Sequence, residues 1–160
     1  MSKAHWDQRF MELAIHVAGW SKDRSTKVGC VIVGPANEVR SVGCNGFPRG
    51  ANDDMSERHE RPAKYLWTEH AERNAIYNAA RCGISLVGCQ IYLPWFPCMD
   101  CARAIVQSGI MEIVAIEPST DDEETLSRHR GKDWSDHFRA AKQLFGESGV
   151  RIRWYQELGT

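Results

Sequence analysis

Apolar residues recur at helical spacing near the start of the chain. Trp6, Phe10, Leu13, Ala14, Val17 and Ala18 share one stripe, and Gly19 marks the predicted end of that helix. Residues 28–33 are a β-branched run stopped by the turn signal Gly34-Pro35, and residues 38–44 are patterned to return as an antiparallel partner. From Asn45 to Lys64 no period is sustained, and the Gly, Pro, Asn and Asp there predict a long loop. Helical spacing resumes at Glu69, with Ala71, Ala75, Ile76, Ala79 and Ala80 on one stripe and Gly83 as the stop. Residues 87–93 predict a third strand, 98–108 a helix closed by Gly109, and 110–116 a fourth strand. The polar stretch 118–131 predicts an exposed connection. Trp134, Phe138, Ala141, Leu144 and Phe145 then mark a last helix, and residues 150–155 a last strand. The order α-β-β-α-β-α-β-α-β predicts an α/β fold of three layers, α/β/α, with a mixed five-stranded sheet in the middle. Its later β-α-β units predict parallel strands joined by right-handed crossovers.

Composition changes this picture little. With no internal repeat or linker, the 160 residues predict a single domain, residues 1–160. The chain is 42% hydrophobic and 26% charged, which is ordinary for a globular protein. A formal net charge of −1 provides no general attraction for nucleic acid or an anionic membrane, although it leaves room for a local phosphate site. No apolar run approaches the ~18–20 residues a membrane span requires. The first residues lack the apolar core of a secretory signal. Four of the six cysteines lie in apolar or helical surroundings, where a packed, reduced thiol is expected, so the chain reads as cytoplasmic.

Chemistry concentrates in two short stretches, T-E-H-A-E ending at Glu72 and F-P-C-M-D-C ending at Cys101. A lone C-x-x-C is compatible with a redox pair, a structural metal or chance, and a lone H-x-E carries less. Together, each at a predicted helix start and separated by one strand, they offer His70, Cys98 and Cys101 as one imidazole and two thiolates. That donor set suits Zn2+ better than magnesium or calcium, and three protein ligands are the number a catalytic zinc site uses. Helix starts favour thiolates through unpaired N–H groups and the positive dipole end. Glu72 then stands beside the metal as a proton carrier for water activated there.

The pattern H-x-E followed by P-C-x-x-C is the zinc nucleobase deaminase signature. The chain resembles the cytidine/deoxycytidylate deaminase superfamily, and most nearly its deoxycytidylate (dCMP) deaminases. Residues 21–33 resemble the segment leading into that family's first strand, and residues 43–54 its G-x-N-G-x-P-x-G…D-D loop. Residues 70–76 are similar to H-A-E-x-N-A-I, and 96–110 to the second zinc motif. The resemblance implies a cytidine deaminase-like fold, zinc held by His70, Cys98 and Cys101, and Glu72 as general acid/base. It also implies Asn45 as the residue orienting sugar or base, with Lys22, Arg24 and Arg49 as candidates for a 5′-phosphate. The partners implied are a small nucleotide or nucleobase, with no nucleic acid and no membrane, and a homo-oligomeric assembly.

Two features depart from the family pattern. Glu69 stands where many relatives carry Cys or another small residue, and residues 55–67 have no clear counterpart. That segment brings Arg58, His59, Arg61, Tyr65 and Trp67, which can line or cover a pocket. Other readings therefore stay open: a deaminase of a free base or another aminoheterocycle (guanine, cytosine or pterin-like), a tRNA adenosine deaminase, or a non-catalytic zinc module. His59 with Cys30 or Cys44 is a further conceivable metal set. Trp95 and Phe96 are equally compatible with base stacking and with the core.

Overall fold

A computed structural model describes residues 2–117 and 134–156. The predicted connection 118–131 lies outside the described residues. The elements are α1 (Lys3–Ala18), β1 (Gly29–Val33), β2 (Val39–Cys44), a 3₁₀ turn (Ser56–Arg58), α2 (Lys64–Trp67), α3 (Ala71–Arg81), β3 (Gln90–Leu93), α4 (Met99–Gln107), β4 (Glu112–Ile116), α5 (Ser135–Ser148) and β5 (Arg151–Tyr155). The five strands form one sheet in the order β2-β1-β3-β4-β5. β1 runs antiparallel to both β2 and β3, whereas β3, β4 and β5 are mutually parallel.

Every residue of β1 is buried, as a central strand covered on both faces requires. Its side chains alternate between the two faces. Val31 and Val33 pack with Phe10 and Ala14 of α1, while Cys30 and Ile32 pack with Ala71 and Ala75 of α3, Ile105 of α4 and Phe145 of α5. One helix therefore covers one face and three cover the other, which is the predicted three-layer arrangement. On the α1 side the Tyr92 hydroxyl donates to Asp7 Oδ1 at 2.7 Å, and Arg153 grips the same carboxylate, so the buried Asp7 charge is paired.

Strand ends differ from the sequence pattern. The third strand begins at Gln90 rather than residue 87, because Gly88 adopts φ 76° and the Cys89 N–H turns back to the Leu86 carbonyl. Val87 is left 75% exposed, so its β-branched side chain reflects a turn and not a strand. Phe96 belongs to the core, 5% exposed and ringed by Phe138, Phe145 and Trp154. The long loop from Asn45 to Lys64 contains the 3₁₀ turn and leads directly into α2.

Gly43 sets the separation between β2 and α3, the helix that carries half of the candidate chemistry. A Cβ there would lie 2.4 Å from both the Ala71 carbonyl oxygen and the Ala75 nitrogen. Gly43→Ala is therefore expected to destabilise the protein by about 1–3 kcal/mol, as overpacking against backbone does. Chemical unfolding would show this as a lower midpoint, and an unchanged midpoint would disprove the close packing.

Candidate metal centre

Two helix starts converge. His70 is the N-cap of α3, with φ −80° and ψ 155°, and its carbonyl accepts the Asn74 N–H at 2.9 Å. Cys98 is the N-cap of α4, with φ −69° and ψ 169°, and its carbonyl accepts the Ala102 N–H at 2.8 Å. Neither side chain caps its own helix. Imidazole and thiol are thus left for each other, while the positive ends of both helices favour negative charge at this point. Pro97, with no N–H to satisfy, leads into the second start.

His70 Nδ1 lies 3.5 Å from Cys98 Sγ and 3.5 Å from Cys101 Sγ. All three donor atoms lie within 4.8 Å of one another, and both cysteines are buried. A tetrahedral zinc with Zn–N of ~2.0 Å and Zn–S of ~2.3 Å separates nitrogen and sulfur ligands by about 3.5 Å. The spacing fits that ion. Among the described residues no fourth His, Cys, Asp or Glu joins the group, as an open coordination position requires.

The electrostatics agree with this donor set. The Cys101 thiol donates to Cys98 and, with help from His70, holds Cys98 well below the ordinary thiol range despite burial. That same hydrogen bond, with burial and the charge of Glu72, pushes Cys101 up. Burial lowers His70, but the Cys98 hydrogen bond and the charges of Glu72 and Cys98 raise it overall. The protein alone therefore supplies one thiolate readily, and a divalent cation would draw off the second proton.

Glu72 sits in the first turn of α3 and is 6% exposed. Burial raises its carboxyl above the usual range, opposed by His70 and by the Cys101 thiol that it reaches. A buried carboxyl of raised affinity for protons, next to a metal group it does not join, is a candidate for proton transfer. Trp134 stands edge-on to the His70 ring at 6.0 Å. Glu69, the departure from the family pattern just before His70, is matched by Arg73 one helical turn on at 2.5 Å.

The proposed substrate residues are distributed differently. Asn45 is buried, and its amide is engaged. Oδ1 accepts the Val28 N–H at 2.8 Å, and Nδ2 donates to the Thr26 carbonyl at 2.9 Å and to Asp23 Oδ2 at 3.3 Å. Lys22 is paired with Asp53 at 2.7 Å, Arg49 donates to Asn78 Oδ1 at 2.5 Å, and Arg24 is exposed. Asn45 and Lys22, with Gly46, His59, Lys64 and Thr68, line a cavity of about 200 Å³. His70 and Glu72 do not line it, but the chain joins the two places. Gly46 and Glu69 exchange backbone hydrogen bonds of 3.0 and 2.8 Å, and Asn74 Nδ2 donates to the Cys44 carbonyl at 2.8 Å.

Lys64 was not legible in the sequence. It is buried, and its ammonium donates to both oxygens of Asp23 at 3.0 and 2.7 Å and to Ser25 Oγ at 2.7 Å. A lysine at the end of a polar loop carries no signal of burial. Asp23, two residues after Ser21 and accepting the Ser25 and Thr26 N–H groups, carries a weak one in its turn-forming position. His59 stacks on Phe47 at 4.7 Å, and the metal group formed by the described residues is His70, Cys98 and Cys101 without it.

Comparison with known proteins agrees with the site. Residues 4–117 match the model of the cytidine and deoxycytidylate deaminase zinc-binding region. The chain is 41% identical over 149 residues to an uncharacterized deaminase of Aliivibrio fischeri, covering 93% of this chain and 92% of that one. It is 34% identical over 153 residues to the deoxycytidylate deaminase of Homo sapiens, covering 92% of this chain and 78% of that protein. The fold is similar to that of a dCMP deaminase from the cyanophage S-TIM5, in complex with dCMP and dUMP. That likeness has a TM-score of 0.71 at 21% identity, over 96% of this chain and 99% of that one. The chain is thus a zinc-dependent hydrolytic deaminase and belongs to the cytidine and deoxycytidylate deaminase family.

Proposed function

We propose that this enzyme deaminates deoxycytidylate to deoxyuridylate with release of ammonia. The observation that carries the reading is the buried His70–Cys98–Cys101 group with Glu72 beside it, in a chain similar throughout to deoxycytidylate deaminases. His70, Cys98 and Cys101 hold the metal. Zinc bound there supplies a Lewis acid that lowers the pKa of a coordinated water to about 7. Glu72 accepts a proton from the attacking water and passes it to N3 of the cytosine ring as the new C–O bond forms at C4. A second transfer through Glu72 carries a proton to the C4 amino group, the C–N bond breaks, and ammonia leaves behind a uracil ring. Burial of Glu72 keeps its proton affinity high enough for both directions of transfer.

Asn45 orients the nucleotide indirectly, its engaged amide holding in place the loop tied to the start of α3. Lys22, Arg24 and Arg49 are the candidates to meet its 5′-phosphate. A small nucleotide is then the partner, with cytoplasmic location and homo-oligomeric assembly as parts of the same reading.

One observation favours a second reading, deamination of a free base or another aminoheterocycle. Lys22 and Arg49 are already engaged with Asp53 and Asn78, so a phosphate would have to displace those partners. Ammonia release from dCMP, deoxycytidine, cytosine and guanine separates the two. The kcat/KM for dCMP is expected to exceed that for deoxycytidine by at least about tenfold, since one charge-assisted hydrogen bond is worth ~1.5–3 kcal/mol. Equal turnover with and without the phosphate would favour the second reading.

A further inference from the structure

The geometry points to the Glu69–Arg73 ion pair as a clasp that holds His70 in ligand position and thereby sets the zinc affinity of the cluster. This inference rests on the reading of His70, Cys98 and Cys101 as the metal site. One carboxylate oxygen, Glu69 Oε1, accepts two hydrogen bonds: from the His70 backbone N–H at 2.9 Å and from Arg73 Nη2 at 2.5 Å. The backbone of Glu69 is itself paired in both directions with Gly46. The residue immediately before the ligand is thus fixed through main chain and side chain at once.

His70 needs such help. As an N-cap its N–H lies outside the helical ladder, and its side chain faces the sulfurs and makes no capping bond. Its imidazole is therefore placed by the backbone at 69–70, and the Glu69 carboxylate is what ties that backbone to the helix. Arg73, in α3 beside Glu72, closes the tie by holding the same oxygen. The pair is not an ordinary surface bridge. Its side chains are 25% and 19% exposed, and Arg73 Nε is buried with no hydrogen-bond partner among the described residues. The pair also leaves Glu69 adding no net charge to a volume that already holds two sulfurs and the Glu72 carboxyl.

Competition for zinc between the protein and a chromogenic chelator tests this, using Glu69→Ala, Glu69→Gln, Arg73→Leu, Arg73→Lys and the Glu69→Ala/Arg73→Leu double variant. Glu69→Ala and Arg73→Leu are each expected to weaken zinc affinity about 10- to 100-fold, the usual effect of losing a partner that orients a ligand. The double variant is expected to be no weaker than the worse single one, because both substitutions remove the same tie. Arg73→Lys, which keeps a cation, and Glu69→Gln, which keeps an acceptor for the His70 N–H, are expected to fall between. Cobalt-loaded Glu69→Ala and Arg73→Leu are expected to show shifted d–d bands. Thermal unfolding of the metal-free variants separates the effect from general loss of stability. Affinities within twofold of the wild type, or losses that follow metal-free stability one for one, would overturn the clasp. A wild-type chain that binds no zinc would overturn the metal site along with it.

Discussion

Glu72→Gln is expected to lower the turnover of dCMP by about 10²–10⁴-fold, the range typical of a lost general acid/base, while zinc stays bound. The amide nearly matches the carboxylate in shape, so packing at the start of α3 is preserved. What disappears is the capacity to take a proton from water and return it to nitrogen. The position makes the loss severe: at 6% exposure no bulk water stands in for the missing carboxyl. Glu72 is also outside the group of donor atoms that can hold the metal, so its replacement leaves that group whole. Metal analysis beside a steady-state ammonia assay reads both halves of the prediction. Near wild-type turnover in a zinc-loaded Glu72→Gln enzyme would remove Glu72 from the mechanism, and loss of the metal would make it a structural residue instead.

Cys101→Ser carries the second large effect, this time on the metal. Cys101 is fully buried in α4, with its sulfur 3.5 Å from His70 Nδ1. A serine hydroxyl is a poor zinc ligand near neutral pH and does not replace the thiolate. Binding of structural zinc by four ligands contributes ~10–16 kcal/mol, so one of them accounts for roughly 3 kcal/mol or more, about two orders of magnitude in affinity. Zinc content after dialysis is expected to fall well below one ion per chain, with activity falling in parallel. Wild-type enzyme stripped by a chelator is expected to lose activity and regain it when zinc returns, whereas the variant recovers only at far higher zinc. A Cys101→Ser protein that keeps one tightly held zinc would show that Cys101 is not a ligand.

The two effects separate the roles that the local sequence runs together. His70 and Glu72 are two residues apart at the start of one helix, His70 as its N-cap and Glu72 in its first turn, and both face the sulfurs of α4. Cys98 and Cys101, three apart, share a side.

Local pattern was sufficient where an element's neighbours are its own chain. The stripe from Trp6 to Ala18, the continuous β-branched run of β1 and the helix starts at His70 and Cys98 all follow from local pattern, because the spacing of apolar side chains decides which faces can be buried. The clustering of His70, Cys98 and Cys101 was legible for a related reason: imidazole and thiols at helix starts have few purposes, and their order along the chain is itself a signature. The start of β3 was not legible, since Val87 carries strand propensity while Gly88 and Gly109 build a turn around it. Propensity is a weak guide where a turn is closed by hydrogen bonds from a distant segment.

Spacing and residue type along the chain already specify the layered α/β plan and the chemistry available: one imidazole, two thiols and one carboxyl, each at a helix start. It took packing in three dimensions to bring those groups within ligand distance from α3 and α4, to bury Lys64 against Asp23, and to tie Asn45 to the turn before β1. The physical reason is range. Helix and strand patterns are set by interactions a few residues apart, whereas ion pairs and metal donors are joined across tens of residues by packing, and a polar side chain carries no mark of its eventual partner.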